Sequence, residues 1–299
     1  MKRNNSVLKM AGILLVVGLA LYFVGMTAFA TDAPVLGGGA TEIVYEKEDY
    51  TVDAMGIDEI IIRARNMPVK VTPSNGNEVT IHYYTCEKDP YEVSLQGGVL
   101  TLKYKYDNLF NVGNWFTGIF NVFSNSNPKV ELIVPEAYAG TLKLSTSNAT
   151  VSVSSLKAAG EIRIDTSNAT IGASNVTATL LNAHTSNGSV SLDNVIISGS
   201  VDVKSSNGSL TAKNVAAKEK LRLDTSNGRI SVDNVTSADI ELRSSNSSIS
   251  GSVAGKRSDY TISSHTSNGD DSLGDGGRGQ SRLTVNTSNG NINIRFLGE

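Results

Sequence analysis

Aromatic rings, proline and cysteine are all scarce in this chain, and each shortage excludes something. Only 6% of its 299 residues are aromatic, and no Phe, Tyr or Trp occurs between Tyr138 and Tyr260. Rings are large contributors to a thick core, so a stretch of this length without any points to thin, regular layers instead of a sandwich. Cys86 is the single cysteine, which excludes an intramolecular disulfide and a metal staple as sources of stability. Placed at the end of the apolar-alternating run Val79 to Thr85, it reads as a buried, inert side chain; the alternative is pairing between chains. A basic excess is also missing, for the net charge is −3, so no nucleic-acid footprint is expected. No glycine-rich phosphate loop, His-Glu-x-x-His pattern or activated nucleophile appears, and no cofactor is implied.

What the chain does contain is one phrase, Thr-Ser-Asn-Gly, repeated with variations. Its asparagine falls at Asn148, Asn168, Asn187, Asn207, Asn227, Asn246, Asn268 and Asn289, spaced 19 to 22 residues apart. Apolar residues sit six and four positions before this marker (Leu142 and Leu144, Val201 and Val203, Leu221 and Leu223) and three and five after it (Val151 and Val153, Val190 and Leu192, Ile230 and Val232). A period of two means short strands joined by a turn. A further apolar residue eight after the marker, as in Asn194-Val195 and Asn234-Val235, reads as a second corner. One such unit cannot bury its inner face alone, so neighbouring units must supply the core. The predicted fold is all-β: a parallel β-solenoid, or β-helix, of ~20-residue coils. At the marker corner, Asn and Gly are expected to take the positive φ of a tight turn, with the Asn side chains forming a ladder between coils. The Thr column (Thr146, Thr166, Thr185, Thr225, Thr266, Thr287) is expected to point inward at that corner.

Ahead of the repeats, residues 1–9 carry Lys2, Arg3 and Lys9 without an acid, and residues 10–31 are uncharged and mostly apolar. That run is long enough to span a bilayer, and its basic flank places the N-terminus in the cytoplasm and everything after Thr31 outside it. We read it as a retained transmembrane helix and single-pass anchor; the alternative is a signal segment cleaved after Ala30, in the small-x-small site Ala28-Phe29-Ala30, which would release a secreted protein. Residues 32–50 read as a flexible tether, with Gly37-Gly38-Gly39 followed by the solvated charge run Glu46 to Asp49. Residues 51–140 read as an N-terminal β cap or widened first coils, in which Asn66 and Ser74-Asn75-Gly76 resemble worn copies of the corner.

Two segments interrupt the pattern. Within residues 109–123, Trp115, Phe116, Ile119, Phe120 and Phe123 share one helical face. A capping helix over the solenoid edge is the plain reading; contact with the membrane or a partner is the sharper one. Between the seventh and eighth markers, residues 270–279 hold Asp270, Asp271 and Asp275 among glycines. Lacking a repeated calcium-binding pattern, this reads as a flexible loop.

The position three before each marker (Ser145, Asp165, His184, Lys204, Asp224, Arg243, His265, Asn286) should form an outward column. Its two histidines, four coils apart in chain order, lie too far from one another to share a metal or a proton. Glycan-cleaving β-helices gather carboxylates in a cleft walled by long loops, whereas the repeat here spreads Asp165, Asp193, Asp224 and Asp233 apart. No enzyme is expected, and an outward-Thr ice-binding array is a remote reading.

With the basic start, the single apolar segment and the Thr-Ser-Asn-Gly-x-Ile-x-Val units in place, the chain resembles the bacterial β-strand-repeat family called putative adhesins, over about residues 55–297. The resemblance implies a role at the cell envelope and no catalytic residues; some members are encoded beside envelope-stress regulators. The expected function is a non-catalytic, membrane-anchored extracytoplasmic module that binds an envelope glycan or membrane protein, or serves as a scaffold. The alternatives are a spacer or regulator of a membrane partner in an envelope stress response and, more remotely, a polysaccharide-cleaving enzyme.

Overall fold

The computed structural model describes residues 44–105, 128–157 and 159–299. The described residues of 44–299 belong to one compact unit, and among them are twenty-one strands and a 3-10 turn at Arg257–Asp259. The segment 10–31 and the aromatic stretch 109–123 lie outside the described residues. Among the described residues, no helix is long and apolar enough to cross a membrane.

The coil that begins at Ser200 shows how the repeat folds. Strand β13 (Ser200–Ser205) puts Val201 and Val203 inside and Asp202 and Lys204 outside. After the Ser206-Asn207-Gly208 corner, β14 (Leu210–Ala217) buries Leu210 and Ala212, then turns outward at both Lys213 and Asn214 before burying Val215 and Ala217. Two consecutive outward residues require a break in the pleat, and Asn214 supplies it with a left-handed φ of 51°. Ser155, Asn175, Asn194 and Asn234 repeat that conformation in other coils. The next coil, β15 (Lys220–Thr225) and β16 (Ile230–Val235), pairs in parallel at an offset of one repeat. Val201 meets Leu221, and Leu210 meets Ile230. Like residues therefore stack on like, giving an aliphatic core of Val, Leu, Ile and Ala with almost no ring in it.

The positive φ expected at the marker corner sits instead seven residues later, at this second corner. Glycine is needed at the marker for another reason, the closeness of adjacent coils. A Cβ on Gly208 would lie 1.7 Å from the Gly188 carbonyl oxygen, and one on Gly228 would lie 1.9 Å from that of Gly208.

The order of the stack is not the order of the chain at either end. Strands β2 (Glu59–Arg63) and β3 (Val69–Ser74) form a regular coil, packed on one side by β8 (Thr141–Thr146) and β9 (Val151–Ser154). Its other side is covered by β6 (Val99–Tyr104) and β7 (Val130–Pro135). Antiparallel strands then close that end. β4 (Glu78–Thr85) pairs with β7 and with β1 (Glu46–Asp53), while β5 (Tyr91–Gln96) pairs with β6. The charged run Glu46 to Asp49 is thus not tether but part of an edge strand, held by the contact between His82 Nδ1 and Asp49 at 2.5 Å. Charges on an edge discourage pairing with another chain. Cys86 is half-buried rather than buried.

At the far end, β20 (Ser281–Thr287) inserts between β17 (Asp239–Ser244) and β19 (Tyr260–Thr266), leaving β19 outermost. The loop 270–279 covers its open edge and so is not a free, flexible loop. Ile262 N–H donates to the Gly276 carbonyl at 2.7 Å, and Gly276 N–H donates back at 3.1 Å. Asp275 accepts from Ser264 N–H at 2.7 Å, and Leu273 is buried. Of the three aspartates that invite a calcium reading, two are therefore backbone caps, Asp275 on Ser264 and Asp271 on Leu273 and Gly274. Asp275→Ala is expected to lower stability by about 1–2 kcal/mol, the cost of an unmade hydrogen bond at a partly buried amide, and to promote association between copies through the exposed edge. Denaturant unfolding, together with size-exclusion chromatography over a range of concentrations, checks both effects.

Candidate binding face

The marker corner is a continuous column of side-chain amides. Asn148 donates to Asn66 at 2.7 Å, Asn168 to Asn148 at 2.7 Å, Asn187 to Asn168 at 2.6 Å and Asn207 to Asn187 at 2.6 Å. The series continues through Asn227, Asn246 and Asn289 and ends where Asn268 donates to Asn289 at 2.9 Å. All eight corner asparagines lie in this column, and Asn66 adds a ninth. Chain order alone would put Asn268 before Asn289; the crossed strands at the C-terminal end reverse them. Repeat spacing alone also does not reveal the second ladder, in which Asn194 donates to Asn175 at 2.7 Å and Asn234 to Asn214 at 3.0 Å.

Behind the amides, the Thr column points inward at Thr146, Thr185, Thr225 and Thr287, with Ser205 and Ser244 in equivalent places. Each hydroxyl joins two coils. Thr225 accepts from Gly228 N–H in its own corner at 3.1 Å and donates to the Gly208 carbonyl of the coil before at 3.2 Å. Ser205 does the same between Gly208 N–H and the Gly188 carbonyl, at 2.9 and 3.0 Å. Replacing Thr225 by Val keeps the shape but strands two buried groups, for an expected loss of about 2 kcal/mol. Asn207→Ala removes two solvent-exposed amide bonds and is expected to cost about 1 kcal/mol. Parallel urea titrations of the two variants check that order.

One outward face, carried by β6, β2, β8, β10 (Ala159–Thr166), β11 (Ile171–Thr185), β13, β15, β17, β20 and β19, holds interlocked charges. Arg163 Nε pairs with Asp165 at 2.8 Å, Lys204 with Asp202 at 2.6 Å and Arg222 with Asp224 at 2.6 Å. Lys220 and Arg243 both reach Glu241, each at 2.5 Å. His184 lies between two carboxylates, 3.6 Å from Asp165 and 3.8 Å from Asp202. Burial opposes ionisation of Asp202, but His184 and Lys204 outweigh it and bring the carboxyl down to about 2. At 3.8 Å the His184 contribution is a through-space attraction, not a formed hydrogen bond. With the folded value below the unfolded 3.8, the unfolded chain binds more protons in that interval. The stabilisation is complete above about pH 4 and is lost as pH falls through about 2. Asp202→Asn should therefore flatten the acid limb of the stability curve between these values, as read by urea midpoints at each pH.

His184 and His265 do stand in one column, but the crossed strands put five steps between them: Lys204, Asp224, Arg243 and Asn286 intervene. Among the described residues, no group of three or more His, Cys, Asp or Glu side chains is placed to hold a metal. Two shallow depressions mark the face. One, of about 390 Å³, is lined by Asp224, Arg243, His265 and Asn286 with corner hydroxyls. The other, of about 210 Å³, lies at the opposite end around Arg63, Lys143 and Arg163. The candidate contact residues Trp115, Phe116, Ile119, Phe120 and Phe123 lie outside the described residues.

The sequence model of the Toastrack DUF4097 domain matches residues 57–295. The chain belongs to this family. The match runs from Ile57, just before β2, to Arg295 in β21 (Ile292–Phe296), so the Toastrack domain takes in the coil at 57–74, the crossed end and both depressions. No curated protein matches the chain. Among solved structures, a putative adhesin from Parabacteroides distasonis is similar at 12% identity, with a TM-score of 0.42, over 84% of this chain and 97% of that one. A putative adhesin from Bacteroides fragilis is similar at 11% identity, with a TM-score of 0.36, over 86% of this chain and 100% of that one. A putative cell adhesion protein from Clostridium sporogenes is similar at 12% identity, with a TM-score of 0.29, over 85% of this chain and all of that one.

Proposed function

We propose that this Toastrack protein is a non-catalytic binding or adhesion module of the bacterial cell envelope, held at the membrane by residues 10–31 and displayed outside the cytoplasm. The observation that carries this reading is the charged face. Its side chains are fixed in pairs on a ladder of in-register strands, so a repeating surface pattern is preorganised. A rigid, extended polar face suits recognition of a repetitive partner, such as a glycan or an array of protein contacts. Both depressions are shallow and open to solvent, a form suited to docking more than to enclosing a reacting group.

The module predicts that the purified full chain, kept in neutral detergent, is retained by envelope material from bacterial cells and releases no soluble glycan fragments from it. Sedimentation with isolated envelopes, followed by analysis of the supernatant for sugars, tests both halves. A chain that stays in the supernatant contradicts binding, and released fragments point to an enzyme.

A further inference from the structure

Eight of the nine cations on the charged face are neutralised in place. Lys103, Lys143, Arg163, Lys204, Lys220, Arg222, Arg243 and Arg282 each have a carboxylate at 3.6 Å or closer. Arg63 is the exception: it is exposed, and among the described residues no carboxylate pairs with it. Its position explains why. Lys204 and Arg243, in the same column, take Asp202 and Glu241 two residues before them on their own strands, where Arg63 has Ile61, and its neighbour across the ladder is Ser145.

The same guanidinium lines the depression of about 210 Å³, together with Lys143, Ser145, Arg163 and Asp165. Three cations thus converge on one concave spot whose lining holds a single carboxylate, and that carboxylate is already engaged by Arg163 Nε at 2.8 Å. Lys143 is held by Glu59, which fixes its ammonium near the rim. Lys143 and Arg163 are each offset by a carboxylate, Glu59 and Asp165, so the guanidinium of Arg63 is the charge left unpaired at this depression. A guanidinium presents donors in a planar fork that matches the oxygens of a phosphate or carboxylate.

We propose that Arg63, with Lys143 and Arg163, forms an oxyanion subsite for the phosphodiester of a polyol-phosphate polymer of the envelope. Beyond the subsite, the exposed corner serines Ser147, Ser167, Ser186 and Ser206 run along the stack and offer hydroxyls to a polyol chain. The inference rests on the binding-module reading and names the ligand chemistry for it.

The test uses the full chain in neutral detergent with three probes: a soluble glycerol-phosphate polymer, inorganic phosphate, and mixed micelles with or without phosphatidylglycerol. Binding to the polymer is expected, weakening as salt is added. Arg63→Gln should reduce it roughly tenfold, the loss of a charge-assisted contact. Lys213→Gln, which removes the same charge from another face, should leave it within about twofold. Polymer binding supports the subsite, and micelle binding alone overturns the polymer in favour of the lipid. Absence of binding to every probe, or equal binding by the parent and Arg63→Gln chains, overturns the subsite. Envelope retention measured in parallel separates the two ideas, since a parent chain that is retained but binds no probe overturns the subsite alone.

Discussion

Everything in this molecule depends on one contact between coils: the buried hydroxyl at the Thr-Ser-Asn-Gly corner that accepts from its own coil and donates to the one before. A corner is where a solenoid is weakest, because the backbone turns and some of its amides and carbonyls, such as Gly228 N–H, point inward away from the ladder that Ser206 and Asn207 continue. An unpaired buried backbone group is costly. Thr185, Ser205, Thr225 and Ser244 satisfy an amide from inside the corner, while backbone bonds such as Asn207 N–H to the Ser186 carbonyl at 2.9 Å satisfy the outside and the side-chain amides bond to one another. The glycine that follows exists because this arrangement draws neighbouring corners so close that a Cβ would collide with the next carbonyl.

With the corner fixed, the register follows. A constant repeat of about twenty residues places each apolar side chain on its counterpart, so the core can be made of small aliphatics without rings. The same register arranges the outer surface into columns, and charges of opposite sign meet both two residues apart on one strand, as Arg222 and Asp224 do, and across coils, as Lys220 and Glu241 do. Exposed ion pairs contribute little to stability individually; their effect here is to hold long side chains in set positions. Both ends of the stack then need special treatment, since an open parallel edge invites another chain. One end is closed by antiparallel strands with charges along β1, the other by the 270–279 segment with Asp275 and Leu273.

Much of this was legible in the sequence, because a period of two repeated every twenty residues has one economical packing. The inward Thr column and the Asn ladder could be read from the Thr-Ser-Asn-Gly phrase, since small polar residues at a fixed interval on stacked coils must meet. The location of the left-handed residue could not. Asn214 and its equivalents look like ordinary polar positions, and only the two adjacent outward residues in β14 reveal the bend. Chain order also concealed the crossed ends, because nothing local in β2 or β20 states which strand it will lie beside. That crossing is what separates His184 from His265 by a further coil. Residues 270–279 were misread for a related reason: Asp and Gly are equally suited to a loose loop and to a tight cap, and the choice is made by the edge strand they meet. Arg63 was legible in part: the apolar Ile61 in the place of a pairing acid is local, but the Ser145 that stands beside it lies eighty-two residues away in the chain.

The central claim is that the corner hydroxyls and amides bind the coils into one cooperative stack, strongest in the middle. Native-state amide hydrogen exchange read by mass spectrometry tests this most directly, because protection follows the free energy of local opening. The account predicts the slowest exchange at the corners of the coils between Leu181 and Leu242, with protection falling toward β1 and β19, and a loss spread over several neighbouring coils when Thr225 is replaced by Val. Equal protection in every coil, or a Thr225→Val effect confined to its own corner, would contradict it.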